Sequence, residues 1–87
     1  MWTVITGKPV QRKLERIPNP DKARLIQAIK ILAEKPELLD IKPLTGRDEH
    51  RLRVGDWRFI MKINEDEKII RLRSLGSRGD VYKNNRQ

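Results

Sequence analysis

Residues 50–63 read HRLRVGDWRFIMKI: a polar or charged side chain alternates with an apolar one, a Gly-Asp pair interrupts, and the alternation resumes. A period of two sends successive side chains to opposite sides of a pleated strand, so this stretch buries its apolar set only as a two-faced β-hairpin. The hairpin's other face then collects Arg51, Arg53, Arg58 and Lys62, with few acids among them. Like charges side by side on a sheet repel, so such a face lowers stability until a partner neutralises it.

The flanking sequence supplies what the hairpin must pack against. WTVIT (2–6) is β-prone, and Gly7 and Pro9 end it and open a helix at 9–16, with Val10, Leu14 and Ile17 at helical spacing. In the IPNPD segment, Asn19 is the expected N-cap, Pro20 suits the first helical position, and Asp21 favours the positive end of the helix dipole. The second helix runs to Glu34, before Lys35-Pro36, and Leu25, Ile26, Ile29, Leu32 and Ala33 form its apolar stripe. Residues 36–48, punctuated by Pro43 and Gly46, are expected to be a connecting loop. Strands follow at 49–54 and 57–63 around a Gly55-Asp56 turn, then a third at 68–75, and Gly76 begins a polar tail.

The order β-α-α-β-β-β predicts an α+β domain spanning 1–87. Its parts are an N-terminal strand, a two-helix hairpin and a three-stranded antiparallel meander, forming a twisted sheet with the helices on one face. Leu52, Val54, Trp57, Phe59, Met61, Ile63, Ile70 and Leu72 turn toward the helices. Arg51, Arg53, Arg58, Lys62, Arg71 and Arg73 then share the opposite face.

Composition sharpens what that face is for. Twenty Lys and Arg against twelve Asp and Glu give a net charge of +8, which favours a polyanionic partner: nucleic acid, ribosome or an acidic protein. The chain has no cysteine, no apolar run long enough for a signal peptide or membrane span, and no cluster of His, Cys or carboxylates at ligand spacing. The expectation is a soluble cytoplasmic protein with no metal, no cofactor, no small-molecule ligand and no membrane contact. His50 reads as a structural residue at a strand end, and Trp57 as core. Glu49 is a possible general base on the arginine face, though ion pairing is its plainer role. Lys8 to Arg16 reads as a solvated helix face.

The run LTGRDEHRLRVGDWRFIMKINEDEKIIRLRSLGSRGDVY (44–82) resembles the RelE/ParE superfamily of bacterial and archaeal toxins. Leu44 and Gly46, the stretch Arg51 to Arg58, and Gly76, Arg78, Val81 and Tyr82 fill that family's pattern in order. The resemblance implies a RelE-like fold and a toxin held inactive by a cognate antitoxin. It also implies a metal-independent endoribonuclease that needs the ribosome and cleaves mRNA in the A site. By the same resemblance Arg58 stabilises the scissile phosphate, Arg78 shares that charge work, and Tyr82 stacks on or orients a nucleotide. Arg51 and Arg53 hold RNA, with Lys62, Arg71 and Arg73 completing the basic face. Ser77 stands where many relatives carry His, which argues against strong activity away from the ribosome. Two alternatives stay open: a ParE-like inhibitor of DNA gyrase, and a degenerate relative that only binds RNA or antitoxin.

Overall fold

The computed structural model describes residues 1–77. In chain order the elements are β1 (Thr3–Thr6), α1 (Lys8–Arg16), α2 (Asp21–Glu34), a 3₁₀ turn at Pro36–Leu38, β2 (Asp40–Pro43), β3 (His50–Val54), β4 (Trp57–Asn64) and β5 (Ile69–Ser77). Five strands make one sheet in the order β1-β5-β4-β3-β2. Neighbours from β2 through β5 are antiparallel, and β1 lies parallel to β5, with Val4 beside Ile70. Helix α1 packs on β5, and α2 on β1 and β3.

Two expectations about the sheet need correction. The segment expected as a loop at 36–48 contains β2, which pairs antiparallel with β3 and sets Ile41 beside Leu52, so the meander has four strands rather than three. β2 offers one half-buried apolar residue in four and ends in proline. A short charged strand of that kind is tolerated only at a sheet edge and carries almost no alternation signal. The other correction is at the end of β5, which runs through Ser77 instead of stopping at Leu75.

A β-bulge makes that extension possible. Ile60 pairs with Ser74 but Met61 pairs with Leu72, so Arg73 is an extra residue in β5. The insertion switches the buried parity from Ile70 and Leu72 to Leu75, which joins the core at 8% exposure. The turns obey simpler rules. Gly55, at φ 61°, takes the first place of the two-residue β3–β4 turn, a backbone region where a Cβ is strained. Gly46, at φ 72°, does the same service between β2 and β3, where the Arg47 amide donates to the Leu44 carbonyl at 3.2 Å.

The core lies between helices and sheet. Val10 and Ile17 from α1 and its C-terminal boundary and Leu25 and Leu32 from α2 meet Leu52, Phe59, Met61, Ile70, Leu72 and Leu75. Pro20, not Asn19, occupies the N-cap of α2, with no side-chain cap. Asp21 has a different task there: its Oδ2 accepts a hydrogen bond at 3.1 Å from Trp57 Nε1. This bond ties the first turn of α2 to the start of β4. A double-mutant cycle of Trp57→Phe with Asp21→Ala is expected to show a coupling of about 1 kcal/mol in urea melts. Additive effects would show that the bond carries no stability.

Candidate nucleic-acid interface

The register lays the cations out in rows across the face opposite the helices. Arg53 stands directly across from Arg58, and Gly76 flanks Arg58 on its other side. In the next row Arg51 and Ser74 flank Ile60. Beyond it Lys62 faces Arg71, whose β1 neighbour is the exposed Ile5. Five of the six expected cations therefore share one face, and Arg73, out of register at the bulge, reaches Glu49 at 3.6 Å; two pairs, Arg53–Arg58 and Lys62–Arg71, oppose like charge to like charge. Ile60 is 2% exposed although it sits on this side and outside the main core, so the charged face has an apolar floor.

Acidic side chains trim part of the charge. Arg51 Nη1 lies 3.8 Å from Asp40 Oδ2, an ion pair across β2 and β3 that is longer than a hydrogen bond. Lys62 Nζ is 3.5 Å from Asp48 Oδ2. Glu49 is held between Arg47 and Arg73, with its Oε2 3.6 Å from Arg73 Nε. Asp40 and Asp48 were not singled out from the sequence, because their roles depend on β2 and on the loop that follows it. At the far end of the face, Asp48, Lys62, Arg71 and Arg73 border an open hollow of about 700 Å³.

Arg58 occupies a different environment. It is half-buried beside the β3–β4 turn, and its Nε and Nη1 atoms are shielded from solvent. Gly76 presents no side chain against it, which leaves room for the guanidinium over β5. A cation out of water acts through a lower dielectric, so its pull on a phosphate is stronger than that of an exposed arginine. Arg53 is exposed and bends toward the turn, its Nε 3.4 Å from the Gly55 carbonyl. The geometry suits gripping phosphates: Arg58 and Arg51 are partly shielded, with the exposed Arg53, Lys62, Arg71 and Arg73 around them.

The remaining candidates separate cleanly. Glu49 precedes Arg53, the cross-strand neighbour of Arg58, by four residues, which is about 13 Å along a strand. The structure therefore does not bring this carboxylate to Arg58. His50 is in register with Met61 on the helix side, as its parity predicts. Ser77 pairs with Trp57 and shares that side, away from the arginine row. Arg78 and Tyr82 lie outside the described residues. Among the described residues no three His, Cys, Asp or Glu side chains converge as metal ligands.

The structure thus has a helical hairpin on one face of a five-stranded sheet and arginines ranked across the other, the architecture of a small α+β class. Residues 4–82 match the family of ParE toxins of type II toxin-antitoxin systems, parDE. The chain is 33% identical over 87 residues to the protein named toxin RelE1 of Methanocaldococcus jannaschii, covering 95% of this chain and 97% of that one. It superposes on a chain of the archaeal RelE–RelB complex from Pyrococcus horikoshii with a TM-score of 0.73 at 28% identity, covering 91% of this chain and 97% of that chain. The RelB–RelE antitoxin–toxin complex from Methanococcus jannaschii shares the fold, with a TM-score of 0.72 at 24% identity over 90% of this chain and 94% of that one. The chain belongs to the RelE/ParE superfamily of toxins of type II toxin-antitoxin systems, on its RelE-type side.

Proposed function

We propose that the protein is a ribosome-dependent endoribonuclease that cleaves mRNA in the A site and so halts translation in the cytoplasm. The observation that carries this reading is Arg58, shielded beside the hairpin turn, directly opposed by Arg53 and flanked by Gly76. Opposed arginines on one sheet face are unfavourable in the isolated protein and become favourable when phosphates lie across them.

RNA cleavage through the 2′-hydroxyl has three needs: the attacking oxygen loses its proton, the phosphorane charge is stabilised, and the leaving 5′-oxygen gains a proton. Arg58 answers the second by presenting a planar pair of donors where charge develops. Arg78 shares that charge, and Tyr82 stacks on a base; both roles rest on the sequence motif. Arg51, Arg53, Lys62, Arg71 and Arg73 hold the strand. Arginine hardly deprotonates, so none of these serves as base, and Glu49 is too far away and already ion-paired. Positioning by the ribosome then supplies much of the rate, which fits the absence of histidine at Ser77.

This assignment of Glu49 has a direct test. Loss of a general base costs typically 10²–10⁴-fold, whereas Glu49→Gln is expected to keep single-turnover cleavage within about tenfold of wild type. A larger loss in a folded variant would restore Glu49 as the base.

The partner that restrains the protein is a cognate antitoxin, as in the RelE–RelB complexes. An acidic or amphipathic segment fits two surfaces: the basic face, and the apolar hollow of about 440 Å³ that Ala23, Ala28, Ile31, Leu39 and Val54 border. The family match to ParE toxins keeps a gyrase inhibitor as the second reading. Brief induction in bacteria, with primer extension on mRNA and supercoiling assayed in parallel, separates the two. Breaks inside translated codons, relieved by the adjacent antitoxin gene, support the nuclease. Intact mRNA with linearised or relaxed plasmid would replace it with the gyrase reading.

A further inference from the structure

One hydroxyl stands among the cations of the basic face. Ser74 on β5 pairs with Ile60 on β4, on the same side as Arg58 and Lys62. Strict alternation from Arg71 would send Ser74 to the helix side, and the bulge at Arg73 turns it back to the basic one. Bulges beside functional sites commonly re-aim a side chain in this way. Ser74 is half-buried, and among the described residues its hydroxyl has no hydrogen-bond partner. Among the described residues, β3, β4 and β5 put no other hydroxyl on this face.

The rows shared by β4 and β5 alternate in charge. Arg58 stands beside Gly76, then Ile60 beside Ser74, then Lys62 beside Arg71. A neutral row thus lies between two cationic ones, about 7 Å from each along β4. An RNA backbone alternates in the same sense, an anionic phosphate with a neutral ribose. The 2′-hydroxyl nearest a phosphate belongs to the ribose whose 3′-oxygen carries it. With the scissile phosphate on Arg58, that ribose comes over the neutral row. Ser74 is the diagonal cross-strand neighbour of Arg58, a separation that one long side chain spans.

We propose that Ser74 Oγ binds the attacking 2′-hydroxyl, selecting ribose over deoxyribose and holding the nucleophile in line with the bond that breaks. This deepens the ribonuclease reading above and rests on it. A serine hydroxyl both donates and accepts, so it matches a second hydroxyl in either sense. Ser74 orients and takes no proton. The 2′-oxygen bonds to phosphorus, the bond to the 5′-oxygen breaks, the 2′-proton passes to water, and water protonates the leaving oxygen. The products are a 2′,3′-cyclic phosphate and a 5′-hydroxyl end.

The test compares wild type with Ser74→Ala and with Ser74→Thr, which keeps the hydroxyl. Two readouts are affinity for a short single-stranded RNA and for DNA of the same sequence with deoxyuridine for uridine. Both are taken off the ribosome, where the RNA stays intact. The third is single-turnover cleavage on saturating ribosomes halted with an open A site. Wild type is expected to prefer the RNA by about fivefold, the worth of one hydrogen bond. Ser74→Ala should lose that preference through weaker RNA binding alone, with DNA affinity unchanged, and should cleave about five- to tenfold more slowly. Ser74→Thr should restore both. A merely structural role would lower RNA and DNA binding together, and that result would overturn the proposal. So would a wild type that binds both strands alike, or a preference and a rate that Ser74→Ala leaves unchanged. Should the alanine variant not fold, Ser74→Val against Ser74→Thr repeats the comparison at matched shape. Wild-type protein that leaves mRNA intact on ribosomes brings down the nuclease reading, while the strand-binding arm still decides the ribose contact: a preference erased with the hydroxyl upholds it, and a preference retained overturns it.

Discussion

Arg58→Ala is expected to fold, to bind antitoxin, and to lose cleavage by about thirtyfold or more. Its register with Arg53 and Gly76 puts the side chain on the face away from the helices, so truncation opens no cavity in the main core. The stability change should therefore be small, within about 1 kcal/mol. The rate is another matter. A charge-assisted contact made mainly in the transition state is worth roughly 2–4 kcal/mol, or about 30- to 1,000-fold in rate. Arg58→Lys should recover only part of this, because a compact ammonium cannot reproduce two parallel donors. The checks are a thermal melt, antitoxin pull-down and single-turnover cleavage on one preparation of each variant. A folded Arg58→Ala protein that stays fully toxic would remove the phosphate role.

One residue further along β4 the expected effect reverses in kind. Phe59 is fully buried, between Leu52 on β3 and Leu75 on β5, among the largest side chains of the core. Phe59→Ala removes the ring's transfer energy and leaves a cavity beneath both helices, at a cost of about 3–5 kcal/mol. A domain of 87 residues has roughly 4–13 kcal/mol in all, so this one change takes about a quarter of it or more. The midpoint should fall by at least about 12 °C in a thermal melt. Ile60→Val, on the opposite face, should cost only about 1 kcal/mol. If Phe59→Ala melted like wild type, the parity that puts Phe59 and Arg58 on opposite faces would be wrong. Toxicity lost through Phe59 is thus lost with the fold, and toxicity lost through Arg58 is lost without it.

The contrast between these neighbours was legible in the sequence, because two-residue alternation over residues 50–63 leaves no other way to bury Phe59 and Met61 together. The helical hairpin was legible for the same reason at a different period. β2 was not: Asp40 to Pro43 has one apolar side chain facing Leu52 and nothing to repeat. Missing that strand also hid the Asp40–Arg51 ion pair, which exists only across the β2–β3 ladder. The bulge at Arg73 left a trace, since the apolar positions 70, 72 and 75 change parity within one strand. A reading in strict alternation ends the strand there instead of shifting its register. The arginine row was legible because parity assigns faces. The shielding of Arg58 Nε and Nη1 was not, since alternation assigns a face and not a depth. Glu49 shows the limit of parity: it reads onto the face of Arg58 but precedes β3 and stands four residues from Arg53, the neighbour of that arginine.

Arginine-assisted cleavage by this protein is proposed to happen on the ribosome. Its most direct measurement uses purified components: wild-type protein, ribosomes halted on a defined mRNA with an open A site, and mapping of the new RNA ends. A break inside the A-site codon is expected with ribosomes and not on the free mRNA at the same concentration. Adding the cognate antitoxin, or substituting Arg58→Ala, should abolish it. Intact mRNA on programmed ribosomes, with a folded wild-type protein that arrests growth in cells, would show that the protein is not a ribosome-dependent nuclease.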